Sequence, residues 1–334
     1  MQASRNKIKK ISSSNEDRSW SFVPGDEIVP GFHAWTLLGD GRRCETWLAL
    51  SVQLWTPVAI KLPRPGCINE RTYQALTREA NTVASLIHPA LQRLLHAHCE
   101  GPLPYLVFEY VEGPTLADLL DHAGPLAPPD VIRLGMQIAS ALHYIHGRGV
   151  VHCDIKPTNL ALRDGRAVLI DFDIARRIGE GGRETKARGS AQYMAPEQIL
   201  GASATPAMDI FALGVTLYEA ITDIVVFDSG DKEPGLTYPQ LTRCPASLLS
   251  IDSCIPRKLE HAVAALLEPD PQRRPPTAMA ALSLLAGALP KNEQGLWPRW
   301  ASKLMPEASP GLCGRPVNTA KKIQHGVHHP DLSR

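Results

Sequence analysis

Val151-His152-Cys153-Asp154-Ile155-Lys156-Pro157-Thr158-Asn159-Leu160 is the stretch on which the reading of this chain turns. An aspartate, a lysine and an asparagine fall within six residues, directly after a run with helical periodicity. Eleven residues past Leu160, the apolar run Val168-Leu169-Ile170 ends in Asp171-Phe172-Asp173. Taken alone, D-x-K-P-x-N is a polar turn, because Asp, Pro and Asn all favour turns. The acidic pair adds a constraint: carboxylates at the end of a buried strand are costly unless a metal or a cation pairs with them. Oxygens from Asn159 and Asp171 are the hard donors that a divalent cation of the Mg2+ kind takes.

Working outward, the chain changes character around this stretch. Residues 1–24 are polar and unpatterned and are expected to be a disordered tail. Trp35, Leu37 and Leu38 lead into Gly39-Asp40-Gly41, and Trp47 to Leu50 resume the apolar run, which reads as two strands joined by a glycine loop. A third strand fits Pro57–Leu62. A helix fits Glu70–Leu86, with Tyr73, Leu76, Ala80, Val83 and Ile87 on one stripe. His88-Pro89 ends it. Two further strands fit Leu91–His96 and Tyr105–Glu109. Beyond that the pattern is helical: Val131 to Ile145 behind Pro128-Pro129, the apolar Ala207–Ile221, Leu259–Leu267 and Thr277–Ala288. The expected fold class is therefore α+β: a small strand-rich lobe with one helix (25–111), a larger mainly helical lobe (112–289), and a flexible tail (290–334). Trp297-Pro298-Arg299-Trp300 is a candidate to dock that tail on the body. The tail histidines His325, His328 and His329 read as incidental.

Transfer of a phosphoryl group from ATP needs a flexible glycine loop, a lysine against the phosphates, a carboxylate to hold it, oxygens for Mg2+, and a carboxylate to orient the acceptor. Gly39-x-Gly41 alone is as well explained by a hairpin turn. Val58-Ala59-Ile60-Lys61 on the next strand reverses that balance, and Glu79 on the following helix offers Lys61 a partner.

With these residues in family order, the sequence resembles the eukaryotic-like serine/threonine protein kinases, closest in style to bacterial members, over roughly residues 33–288. Tyr193-Met194-Ala195-Pro196-Glu197, Asp209-Ile210-Phe211-Ala212-Leu213-Gly214 and Asp270-Pro271-Gln272-Arg273-Arg274-Pro275 extend the resemblance. It implies the two-lobed kinase fold with an antiparallel small-lobe sheet. By resemblance, Gly39 and Gly41 cover the phosphates of ATP, Lys61 binds them and Glu79 holds Lys61. Asp154 orients the acceptor hydroxyl, Lys156 stabilises the transferring phosphate, and Asn159 and Asp171 hold Mg2+, or Mn2+ in its place. Phe108 is the gatekeeper; adenine bonds the backbone near Glu109 and Val111 and packs on Ala59. Glu197 pairs with Arg274. Lys156, with Ser190 touching Asp154 and Lys156, implies Ser/Thr hydroxyls of proteins as acceptors.

The chain departs from the family pattern in several places. Cys44 replaces the third loop glycine, Thr46 stands where an apolar valine usually covers adenine, and Ala161 stands where a larger apolar residue usually lies beneath it. The expected loss in affinity is modest, at roughly 0.8 kcal/mol per missing buried methylene. Cys153 replaces the arginine that receives an activation-loop phosphate, so activity is expected to be largely independent of phosphorylation at Thr185. Asp173 replaces the flexible glycine of D-F-G, adding charge and removing backbone freedom. These departures sustain a second reading, a pseudokinase that binds nucleotide or acts as a scaffold. A small-molecule phosphotransferase of the aminoglycoside type is disfavoured by the intact A-P-E.

Composition excludes other classes. The net charge is +1, from 35 basic and 34 acidic residues, without the basic excess of a nucleic-acid binder. Seven cysteines, with no C-x-x-C pair, fit a reducing cytoplasm rather than a disulfide framework. No secretory leader, membrane span or further domain is expected, so any signal should arrive in solution or through a partner. Cys153, beside Asp154, reads as a buried inert thiol more readily than as a redox sensor.

Overall fold

The computed structural model describes residues 19–182, 189–228 and 238–289. Its chain divides into two units, one of residues up to 86 with 93–110, the other of 87–92 and 111 onward. The six residues 87–92 thus leave the strand-rich unit, and Val111 belongs to the helical one, one residue before the boundary expected from sequence.

The first unit is built on alternation. Strand β3 (Cys44–Ser51) buries every second residue, Glu45, Trp47, Ala49 and Ser51, the period-2 signature of a sheet with one face covered. Strand β4 (Thr56–Pro63) is buried on both faces from Val58 onward. With β1 (Glu27–Val29), β2 (Phe32–Asp40), β5 (Leu94–His98) and β6 (Tyr105–Glu109), these form an antiparallel sheet of order β1-β2-β3-β4-β6-β5. Two irregularities in the β2–β3 register, at Ala34/Thr36 and Leu37/Gly39, add local twist. Strand β5 starts three residues later than the sequence pattern suggests. Leu91 is instead buried by a bridge to Leu169 in the second unit. The helix α1 (Glu70–Val83) begins where the Asn69 side chain accepts from the Thr72 amide. It ends three residues before Leu86, so Ile87 falls off the stripe and is exposed.

The N-terminal expectation needs correction. Ser19 to Phe22 are packed, not disordered: Trp20 stacks on Phe22 at 5.3 Å, and Phe22 meets Trp47 edge-on. The anchor is Glu45, a carboxylate with no solvent exposure on the buried face of β3. It accepts from the Ser19 hydroxyl (2.6 Å), the Trp20 amide and Trp47 Nε1 (3.0 Å), while Trp20 Nε1 donates to the Pro63 carbonyl (2.8 Å). A buried carboxylate requires such donors, and the sequence alone did not show that residues ahead of the sheet would supply them. Residues 1–18, Thr185 and the whole 290–334 tail lie outside the described residues.

The second unit is organised by two helices. α2 (Leu116–Ala123) comes first, held by a reciprocal capping box between Thr115 and Asp118. α3 (Pro128–His146) follows, with prolines in its first turn, where no amide bond is lost. Strand β7 (Val150–Val151) leads to the hairpin of β8 (Leu160–Arg163) and β9 (Arg166–Leu169), and β10 (Arg176–Arg177) pairs back with β7. After the single turn α4 (Pro196–Ile199) comes α5 (Pro206–Thr222), apolar around most of its circumference and buried accordingly. α6 (Leu248–Ile251), α7 (Arg257–Leu266) and α8 (Ala278–Ala288) close the unit. Gly135 shows how tightly they meet: a Cβ there would stand 2.7 Å from Leu217 of α5 and 2.9 Å from Leu285 of α8. No described helix is long and apolar enough to cross a membrane.

Candidate active site

In the first unit, the fold brings Lys61 and Glu79 together. Lys61 lies on β4 opposite Thr46, and Glu79 shares the inner face of α1 with Leu76, Ala80 and Val83. The ammonium donates to both carboxylate oxygens, at 2.9 and 2.8 Å, and both side chains are buried. Such a pair repays its desolvation only through close, hydrogen-bonded geometry, which this one has. Ala59 is buried beside them, in register with Leu48 and Phe108. Gly39 pairs with Thr46 at the end of the β2–β3 ladder, and Gly41 forms the turn beyond. Glu109 is tied to Arg93 through backbone and side chain.

In the second unit, the loop after β7 is built around an aspartate that sequence reasoning assigned only to a helix. Asp209, fully buried at the start of α5, accepts the backbone amides of His152 and Cys153 at 2.8 Å each and also contacts His146 Nε2 at 2.8 Å. Those bonds hold Cys153 at φ +67°, the left-handed region that costs a residue with a Cβ roughly 1 kcal/mol. Gln198 fixes the same residue from the other side, donating to its carbonyl at 2.9 Å. The signal available in the sequence was an acid in the first turn of a largely apolar helix.

On this support sits the cluster of candidate catalytic residues. Asp154 Oδ1 accepts the Ser190 amide (2.9 Å), and Oδ2 lies 2.8 Å from Lys156 Nζ and 3.0 Å from Asn159 Nδ2. Lys156 also donates to the Ser190 hydroxyl at 2.7 Å. Ser190 thus touches both partners as expected, but it reaches Asp154 through its backbone amide and not its hydroxyl. Asn159 spends both amide protons on Asp154, which leaves its carbonyl oxygen as an acceptor. The Ile170 amide donates to the backbone carbonyl of Asn159 (3.0 Å), not to its side-chain oxygen, and Asp171 is the next residue along. The Asn159 amide oxygen, just before β8, and the Asp171 carboxylate, just past β9, are all-oxygen donors of the kind that suits a hard divalent cation.

The departures from the family pattern take physical form here. Asp171 is left-handed (φ +63°), whereas Asp173, in the glycine position, is not, so this conformation does not use a glycine's freedom. Ala161 is buried with Val111 and Val168. Burial, with the Asp209 charge, pushes the Cys153 thiol well above its ordinary range, which keeps it protonated. None of the six described cysteines is in a disulfide. His152 is fully buried against Phe172 (4.6 Å, edge-on), and desolvation lowers its pKa.

A scan against protein-family models matches residues 32–284 to the protein kinase domain. The chain belongs to the protein kinase family. Among curated relatives of this kinase domain, the serine/threonine-protein kinase PknB of Mycobacterium tuberculosis is 33% identical over 252 residues, 72% of this chain and 40% of the relative. A probable serine/threonine-protein kinase of Streptomyces coelicolor is 34% identical over 248 residues, 71% of this chain and 37% of the relative. PrkC of Bacillus subtilis is 31% identical over 258 residues, 76% of this chain and 40% of the relative. The kinase chain therefore spans about 40% of the length of these relatives. Use of ATP with a divalent metal comes with membership of the family.

Proposed function

We propose that this kinase domain is catalytically active, transferring the γ-phosphate of ATP, with Mg2+, to Ser or Thr hydroxyls of protein substrates. The observation that carries the reading is the Asp154–Lys156–Asn159–Ser190 cluster, complete and mutually hydrogen-bonded within one unit. In the step it supports, the acceptor oxygen bonds the γ-phosphorus, the bond from that phosphorus to the leaving ADP oxygen breaks, and the acceptor proton passes to Asp154. Lys156 offsets the charge that builds on the transferring group. Lys61, fixed by Glu79, holds the phosphates of ATP, and Gly39 and Gly41 allow the backbone to approach them. Asn159 and Asp171 would hold the metal, which when bound neutralises phosphate charge. Glu109 and Val111 contact adenine, and Ala59 packs on it. The relatives' names, Lys156 and the Ser190 contact support a Ser/Thr acceptor. Seven cysteines without a C-x-x-C pair support a reducing cytoplasmic setting.

The test is incubation of the full chain with labelled ATP and Mg2+, scoring phosphoserine and phosphothreonine beside Asp154→Asn. Transfer should fall at least about a hundredfold in the variant, the scale of losing a positioned acid–base group. Equal labelling of both proteins refutes catalysis by this site, and no labelling of either favours the pseudokinase. Because residue 153 is a buried cysteine and not an arginine, we also expect Thr185→Ala to keep its activity. A Thr185→Ala protein as dead as Asp154→Asn contradicts this.

A further inference from the structure

Asp40 stands between the two loop glycines, where its negative charge would repel the triphosphate of an approaching nucleotide. Arg64, just past β4, answers that charge: its Nη2 pairs with the Asp40 carboxylate. The same side chain donates from Nε to the Gly41 carbonyl at 2.8 Å, and the Arg64 backbone amide donates to the Arg43 carbonyl at 2.9 Å. One residue therefore grips the loop at positions 40, 41 and 43. The Arg64 side chain is only 12% exposed although Asp40 is 60% exposed, so the grip comes from the sheet side. The turn it holds is tight: a Cβ on Gly41 would come 2.7 Å from the Cys44 carbonyl oxygen.

We propose that Arg64 is a positioning residue for nucleotide binding, which pre-forms the glycine loop and neutralises Asp40 so that the loop receives a triphosphate. The proposal rests on the kinase reading above. A loop already held in its binding shape loses less conformational freedom on binding, and affinity rises accordingly. A solely structural ion pair would affect thermal stability and leave nucleotide affinity alone.

The experiment compares wild type, Arg64→Met, Arg64→Lys and Arg64→Met/Asp40→Asn in the full chain. It measures Kd for a fluorescent ATP analogue with Mg2+, together with KM for ATP, KM for peptide and kcat. Arg64→Met keeps the aliphatic stem. Its Kd and KM for ATP should rise about fivefold or more, the scale of one charge-assisted bond at a partly exposed site, with kcat and peptide KM changed by less than about twofold. Arg64→Lys and the double variant should each recover part of the affinity, since both remove the uncompensated charge on Asp40. An unchanged Kd in a folded Arg64→Met protein overturns the proposal, as does a loss confined to kcat. A wild type that binds nucleotide but transfers nothing defeats the kinase reading while the ratio of Kd values still decides the role of Arg64. A wild type that binds no nucleotide overturns both.

Discussion

Arg274 illustrates how far a single side chain can organise the helical unit. Its guanidinium makes a two-point pair with Glu197 at 2.6 and 2.9 Å. It donates its remaining bonds to the carbonyls of Ala207, Glu268 and Pro269, and lies 4.9 Å over the Phe211 ring. The side chain has no exposure, so every donor must be met within the protein. Removing one member strands the other charge along with several carbonyls. Arg274→Met is therefore expected to cost about 3–5 kcal/mol, read as a lower midpoint in denaturant unfolding with m unchanged. A loss under about 1 kcal/mol would show the pair to be screened like a surface bridge. The pairing itself followed from the family motif, but the three carbonyl contacts did not. They depend on where the 268–269 turn and the start of α5 come to rest.

At the scale of elements, the first unit depends on a segment that composition assigned to a tail. Trp20 and Phe22 cover Trp47, and Glu45 lies buried beneath them with Ser19 and Trp20 as its donors. Trp20→Ala opens a cavity and removes the Pro63 contact at once. It should destabilise the protein by about 3 kcal/mol, within the range for large aromatic deletions. Ser19→Glu sets a second carboxylate against the first and should lower the melting temperature more than Ser19→Ala does. Equal melting temperatures for the two variants would mean that the segment does not rest on Glu45. Sequence reading missed this because Trp20-Ser21-Phe22-Val23 is too short a run, at the end of a polar stretch, to establish a period. A glutamate in a strand's buried register, at 45 between Cys44 and Thr46, was a second local sign. The helices fared better: α3, α5, α7 and α8 lie within a few residues of their expected bounds, because long apolar stripes dictate helix and burial together. The eight-residue α2 was overlooked although Thr115-x-x-Asp118 is a legible cap.

For the whole molecule, the titrating groups buried near the catalytic loop set a pH window. His152 is buried with its pKa lowered from an ordinary 6.5. Below that pH the unfolded chain binds a proton there that the folded chain does not, so stability falls as pH drops. Cys153 is raised from an ordinary 9.0, and Tyr193, partly buried and donating to Glu219 at 2.6 Å, from 10.0. Above those values the unfolded chain releases protons that the folded chain keeps, so stability falls again as pH rises. Thermal melts across pH 5 to 11 should peak between the histidine and cysteine values, and Cys153→Ala should make the alkaline decline shallower. An alkaline limb identical in that variant would exclude the thiol as a contributor.

The sequence by itself determined the kinase fold and its order of motifs, and it singled out Lys61, Glu79, Asp154, Lys156, Asn159 and Asp171 as candidate site residues, because each motif needs particular atoms at short range along the chain. Only the tertiary structure decided how those atoms are held: Asp209 beneath the catalytic loop, the Ser190 amide on Asp154, Arg64 on the glycine loop and Ser19 on Glu45. Each of these joins residues 23 or more positions apart. Local propensity and periodicity are blind to such bonds, whose partners are chosen by burial: a charge or amide removed from water must find whatever the packed chain presents.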